Sequence, residues 1–407
     1  MDNPIRTVFD AAVQAVSGAE ATCKALQDYS PTRVYIAAVG KAAGGMVSGA
    51  LSVVGDRLVN GLVISKYDHL DAGLRADPRL HCIESAHPVP DQNSLLAGEA
   101  LISFVSELPA GSDLLFLLSG GASALIEALP VAMTLEDLQR VNNELLATGL
   151  DINRMNQVRR RLSRIKGGRL AAQLQQVNTL QLLISDVPGD ELAAIGSGPL
   201  VPAGDSTADE TPVPEWLAGL TQAIPPPPAS DDSLWEQIDT QIVASNAIAC
   251  AAAVDRATEL DLAVVQGDGV LTGDVVEMAA TIAAVLNAPG AQPGVYIWGG
   301  ETTVVLPESP GRGGRNQQLA LQLVLAMPED RRWDALCCGT DGSDGPTADA
   351  GGLVSQATAG RGRELDLDAA RFAAAANAGE YLEKVNALVT TGPSGTNVMD
   401  LVVAILY

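Results

Sequence analysis

The chain has 407 residues, 47% of them hydrophobic, 18% charged and only 3% aromatic, and a formal net charge of −24. That length exceeds what one hydrophobic core supports, so two domains are expected, and the apolar share excludes an intrinsically disordered chain. The acidic surplus argues against nucleic acid or an anionic membrane as partner, while a few local cations in a cleft can still hold a small anion once salt screens the distant charge.

Met1 to Arg6 and the mixed stretch after it lack the basic-then-apolar order of a secretory leader, and no run of eighteen apolar residues occurs. A soluble, cytoplasmic protein is the expectation. Five cysteines without a C-x-x-C pair and only three histidines point to buried thiols in a reducing compartment, and away from a zinc or redox centre.

From there one pattern repeats: a short aliphatic run, a loop of Gly, Ser and Asp, then a helical stretch. Val34–Val39 leads into Gly40-Lys41, Leu114–Leu118 into Ser119-Gly120-Gly121-Ala122-Ser123, and Leu180–Ile184 into Ser185–Glu191. Between the last two, Met155, Val158, Leu162 and Ile165 recur at helical spacing within Arg154–Arg169, a segment with seven cations that Gly167-Gly168 is expected to end. Pro, Asp, Thr and Ala dominate residues 199–232, with Pro225–Pro228 as an extended spacer and a short amphipathic piece at Trp216–Ala223. The joint is placed there, giving domains 1–235 and 236–407.

The second half continues with Ala263–Gln266 before Gly267-Asp268-Gly269, and Val295–Trp298 before Gly299-Gly300-Glu301. Ala335–Cys338 then precedes Gly339–Asp344, and Ala387–Thr391 precedes Gly392–Asn397. Aliphatic runs bounded by turn signals read as buried strands, and their alternation with helices predicts α/β architecture with mainly parallel sheets. Ligands of such sheets bind beyond the carboxyl ends of the strands, where these polar loops fall in both halves, so a site in a cleft between the domains is expected.

Five constellations could carry chemistry. Lys41, preceded by Gly40 at a strand end, offers an ammonium and free amides to an anion, or is a surface lysine in a tight turn. Ser119, Gly120, Gly121 and Ser123 allow a phosphate or carboxylate close to the backbone, although the same residues make ordinary turns and caps. Most cations of 154–169 read as a solvated face, with one or two able to reach the cleft. Asp186, Asp190, Glu191, Asp268, Glu301, Asp341, Asp344 and Asp349 stand in strand-end loops, where carboxylates suit Mg²⁺ or accept a hydroxyl proton; Asx turns explain any single one. Arg312 and Arg315, with Asn316 at a predicted helix start, present two guanidinium forks to carboxylate or phosphate oxygens.

In order along the chain, Gly40-Lys-Ala-Ala, His87-Pro-Val-Pro-Asp-Gln-Asn-Ser94, Ser119-Gly-Gly-Ala-Ser-Ala124, Leu162–Leu170, Ser185-Asp-Val-Pro-Gly-Asp-Glu191 and Ser197-Gly-Pro199 resemble the N-terminal part of the glycerate 2-kinase family. Gly299-Gly-Glu-Thr-Thr303, Gly313-Gly-Arg-Asn-Gln317, Gly339–Pro346, and Gly395-Thr-Asn-Val398 with Asp400 resemble its C-terminal MOFRL domain. Ala122, Gly196 and Glu191 are mild departures. The resemblance implies two three-layer α/β/α domains, the N-terminal one Rossmann-like with a mainly parallel sheet and the C-terminal one with a mixed sheet, enclosing the active-site cleft. It implies transfer of the ATP γ-phosphoryl to the 2-hydroxyl of D-glycerate with Mg²⁺.

The family's important lysine carries onto Lys41 and its arginine onto Arg315, with Asp186 or Asp341 as the base. Gly40, Ser119, Gly120, Gly121, Ser123, Glu301, Arg312, Asn316 and Asn397 are then expected to bind substrate or phosphate, and Asp190 and Asp341 to hold Mg²⁺. Monomer and homo-oligomer both remain open. The rivals are an NAD(P)-dependent hydroxypyruvate reductase, for which G-x-G-x-x-G is missing after every predicted strand, and a non-catalytic metabolite-binding protein.

Overall fold

The structure, a computed structural model, describes residues 3–147, 152–202 and 224–407, so the amphipathic piece expected at Trp216–Ala223 lies outside the described residues. The chain divides into two compact units, Gly18–Val243 and a second made of Ala244–Tyr407 with the N-terminal segment up to Ser17.

The first unit carries six strands: β1 (Val34–Val39), β2 (Leu58–Lys66), β3 (Leu80–Ser85), β4 (Asp113–Leu118), β5 (Asn178–Ile184) and β6 (Ile238–Ala244). Their order is β3-β2-β1-β4-β5-β6, and every pairing from β3 to β5 is parallel. The aliphatic runs that end in glycine loops are the central strands, packed on both faces as a parallel sheet requires. Val39, Ile64, Phe116 and Leu118 meet Ala97 and Leu101 of the helix Gln92–Ser106 in the core. The strand order reverses between β1 and β4. Their carboxyl ends are therefore the topological switch point, where α/β sheets open a crevice for ligands.

The second unit's sheet holds β7 (Val264–Leu271), β8 (Gly294–Gly300), β9 (Trp333–Gly339), β10 (Gly351–Ser355), β11 (Leu388–Val389) and β12 (Asp400–Leu406), ordered β11-β10-β9-β12-β8-β7. Only β7 and β8 pair in parallel; the other pairings are antiparallel, so this sheet is mixed. The mainly parallel arrangement expected from strand–helix alternation fails here, because β12 enters between β8 and β9 and runs against both. The helix Pro4–Ala15 buries Ile5, Val8, Phe9 and Ala12 in this unit, packing on the helix Asn246–Glu259 and on β9 and β12.

Three local readings need correction. A joint at 235/236 would sever β6 from the first sheet, to which it adds the sixth strand; the units part at Val243/Ala244 instead. The basic helix ends at Arg161, not at Gly167-Gly168. Arg169 Nη1 donates to the carbonyls of Arg160 and Lys166, and the two glycine amides donate to Ser197 and Gly198, so the glycines clamp a neighbouring turn. Gly267-Asp268-Gly269 lies inside β7, where the register slips, and a Cβ on Gly269 would fall 2.1 Å from Cδ1 of Trp298.

Candidate active site

At the switch point two loops are tied together. Lys41 N donates to Gly120 O at 3.0 Å, and Ala42 N donates to Ser119 Oγ at 3.0 Å. Gly40 has φ +132°, and a Cβ there would lie 2.1 Å from Ser119 Oγ and 2.6 Å from Ser119 O, so only glycine permits this approach. Ser119, expected to touch ligand, is fully buried and its hydroxyl fastens the loops together instead. Gly121, at φ +84°, is flanked by the Lys41 stem and the His87 ring: a Cβ there would sit 3.1 Å from both Lys41 Cγ and His87 Cδ2. Asp186, just beyond β5, lies within electrostatic reach of Lys41. Burial pushes its carboxyl above the usual aspartate range, and the lysine cation opposes that rise. Asp190 is half-buried in the turn Pro188–Asp190 at φ +57°.

Beside Gly121 opens a cavity of about 250 Å³ lined by His87, Ser123, Asn142, Arg159 and Ser197, with Glu127 and Lys166 among its walls. Lys166 Nζ and Glu127 Oε2 pair at 2.6 Å, and both side chains are almost wholly buried. Ser123 Oγ and Ser197 Oγ are 2.9 Å apart. Arg159 Nε donates to Asn142 Oδ1 at 2.9 Å.

In the second unit, Arg315 opens the helix Arg315–Ala326 and Asp400 opens β12. Arg315 Nε lies 2.7 Å from Asp400 Oδ2, Nη2 lies 3.2 Å from Asp400 Oδ1, and Nη1 lies 2.7 Å from Glu301 Oε1. Asn316 Nδ2 donates to Asp400 Oδ1 at 2.9 Å and to Asp344 Oδ1 at 3.2 Å. Asp344 also accepts from the backbone amides of Asn316 and Gln317, at 3.1 and 2.8 Å, and so caps this helix from a distant loop. Burial pushes the Asp344 carboxyl up to about 6 against the pull of those amides. Asp400 is also pushed up by burial, and the Arg315 guanidinium works against the rise. Asp341 Oδ1 accepts from Ser343 N at 2.9 Å and from Ser343 Oγ at 3.1 Å. Asn397 is half-buried just before β12.

Residues 4–220 match the family described as "Domain of unknown function (DUF4147)", and residues 294–400 match the MOFRL family. The D-glycerate 2-kinase of Thermotoga maritima is 33% identical to the chain, covering 97% of it and 95% of the relative. The chain belongs to the glycerate kinase family. The crystal structure of glycerate kinase from Thermotoga maritima superposes with a TM-score of 0.89 at 30% identity, covering 99% of each chain. A relative from Agrobacterium vitis, 34% identical over 98% of this chain and 92% of its own, bears the provisional name hydroxypyruvate reductase. Among the described residues no helix is long and apolar enough to cross a membrane.

Within this glycerate kinase fold, Gly40, Lys41, Gly120, Gly121, Ser123 and Asp186 gather in the first unit, and Glu301, Arg315 and Asn316 gather in the second. Asn316 is buried and its Nδ2 donates to both carboxylates, so the side chain helps to position Asp344 and Asp400. Arg312 stands apart from the Arg315 cluster, paired with Asp349 and Glu383. Sequence reasoning assigned no role to His87, Glu127, Arg159, Lys166, Ser197 or Asp400. His87, Lys166, Ser197 and Asp400 stand in recognised motifs, but the partners of Lys166, Ser197 and Asp400 are distant in sequence.

Proposed function

We propose that the chain phosphorylates D-glycerate at the 2-hydroxyl, using ATP and giving 2-phosphoglycerate and ADP in the cytoplasm. The observation that carries this reading is the joining of Gly40-Lys41 to Ser119-Gly120-Gly121 at the switch point of a parallel sheet, with Asp186 beside Lys41. Phosphoryl transfer asks for positioning and charge neutralisation more than for covalent help. Lys41 and Arg315 supply the cations, and the Gly120 and Gly121 backbone with Ser123 supplies further polar contacts. Asp186 accepts the hydroxyl proton, since a carboxylate whose proton affinity is raised by burial is a better base than an exposed one.

Mg²⁺, bound with the nucleotide, would offset phosphate charge; Asp341 and Asp190 are the carboxylates proposed for it. Asp341 fits the part, because Ser343 orients it as the hard oxygen donor this ion prefers. Arg312 and Asn397 would act at the edge of the site.

The test supplies D-glycerate, ATP and Mg²⁺ and couples the product to enolase, which accepts the 2-phosphate and not the 3-phosphate. Enolase-competent product with stoichiometric ADP is expected. Oxidation of NADH or NADPH by hydroxypyruvate, with no ADP formed from glycerate, would replace this reading with the reductase.

A further inference from the structure

We propose that the cavity beside Gly121 is the subsite for the carboxylate of the acceptor acid, with Arg159, Ser123 and Ser197 as its ligands; this rests on the glycerate kinase reading above. Size is the first ground. At about 250 Å³ the cavity lies below the roughly 300–1,000 Å³ of drug-sized ligand sites, which suits a three-carbon acid and not a nucleoside.

Charge is the second ground. Among the Lys, Arg, Asp and Glu side chains of its lining, Glu127 and Lys166 neutralise each other and Arg159 adds one positive charge. A guanidinium fork also matches the two oxygens of a carboxylate.

The third ground is the construction of the serine pair. Ser197 sits at φ +64° between Gly196 at +55° and Gly198 at +58°, a left-handed run that is unfavourable for a serine. The turn is held by the amides of Gly167 and Gly168 on the carbonyls of Ser197 and Gly198. Its outcome is a hydroxyl 2.9 Å from Ser123 Oγ. In such a pair one hydroxyl donates to the other, which leaves one O–H proton to direct at an oxygen of the ligand. Gly121 both lines the cavity and is flanked by the Lys41 stem, so an acid seated by its carboxylate presents its hydroxyl on the side of Lys41 and Asp186.

The experiment compares D-glycerate with its uncharged amide, glyceramide, as acceptors for the full-length chain and for Arg159→Leu, Arg159→Lys and Ser123→Ala. Arg159→Leu is expected to raise KM for D-glycerate about tenfold or more, and to shrink the preference for glycerate over glyceramide by a similar factor. KM for ATP should stay within about twofold. Arg159→Lys should recover part of the preference, because it keeps the charge and loses the fork. Ser123→Ala, a smaller change that leaves the fold alone, should move the preference in the same direction. An unchanged acceptor preference in both Arg159→Leu and Ser123→Ala, or a rise in KM for ATP in place of that for glycerate, overturns the subsite. A wild-type chain inactive on D-glycerate would instead defeat the kinase reading itself, so the two failures are told apart.

Discussion

Asp400 grips Arg315 through both carboxylate oxygens, at 2.7 and 3.2 Å, while Glu301 reaches the remaining Nη1 at 2.7 Å. The two acids are not equivalent. Asp400 is buried at the head of β12 and also accepts from Asn316, whereas the Glu301 side chain is 40% exposed and water screens its share. Orientation of the guanidinium therefore rests on Asp400. Asp400→Asn is expected to lower kcat about 10- to 100-fold, and Glu301→Gln no more than about threefold. Steady-state kinetics of the two variants decide; equal losses would mean that the exposed acid does more than pair with the arginine.

Lys41 and Asp186 form the corresponding couple in the other unit. Asp186→Asn is expected to cost about 10²- to 10⁴-fold in kcat while D-glycerate binding changes little, and the acid limb of the wild-type pH profile should lie above the ordinary aspartate range and vanish in the variant. Lys41→Ala should abolish turnover and leave the melting temperature nearly unchanged. A large loss of melting temperature in either variant would make its residue a structural one.

Asp344 ties stability to pH. Burial raises its carboxyl to about 6, whereas an unfolded aspartate titrates near about 3.9. Between those values the native state keeps a proton that the unfolded chain has released. Stability therefore falls as pH rises from about 4 to about 6, and this group adds no further change above that. Asp344→Asn removes the titration. The stability of wild type relative to that variant, from chemical denaturation across this window, should decline with rising pH; a flat difference would show an unperturbed carboxyl.

The Glu127–Lys166 pair offers a thermodynamic check on the cavity wall. With both side chains at 3% exposure or less, Glu127→Gln would leave an ammonium buried without its counter-charge. A cost of about 3–5 kcal/mol is expected. The double variant Glu127→Leu, Lys166→Met should regain much of that loss, because two apolar groups need no desolvated partner. Denaturant titration of the single and double variants measures both.

Much of the first unit was legible because its central strands are buried on both faces and announce themselves as unbroken aliphatic runs ending in glycine. Strand direction in the second unit was not, since a run such as Leu401–Leu406 looks the same whether it pairs parallel or antiparallel; only the family resemblance pointed to a mixed sheet. Lys41, Asp186 and Arg315 stood out as charges in glycine loops. Ser119 misled, because a hydroxyl's direction is fixed by a contact 77 residues away, with Ala42. Arg159 was concealed among like charges, and Asp400 could not be given a role without its partner 85 residues upstream.

The helix Pro4–Ala15 is synthesised ahead of the Gly18–Val243 unit, yet it is buried against elements that begin at Asn246. Its apolar stripe must therefore wait, exposed, while the whole Gly18–Val243 unit is synthesised, and that unit can fold before the helix finds its seat. Birth order and folding order are thus inverted for this segment. Deleting this helix should harm the unit built from Ala244–Tyr407, not the one that follows it in sequence.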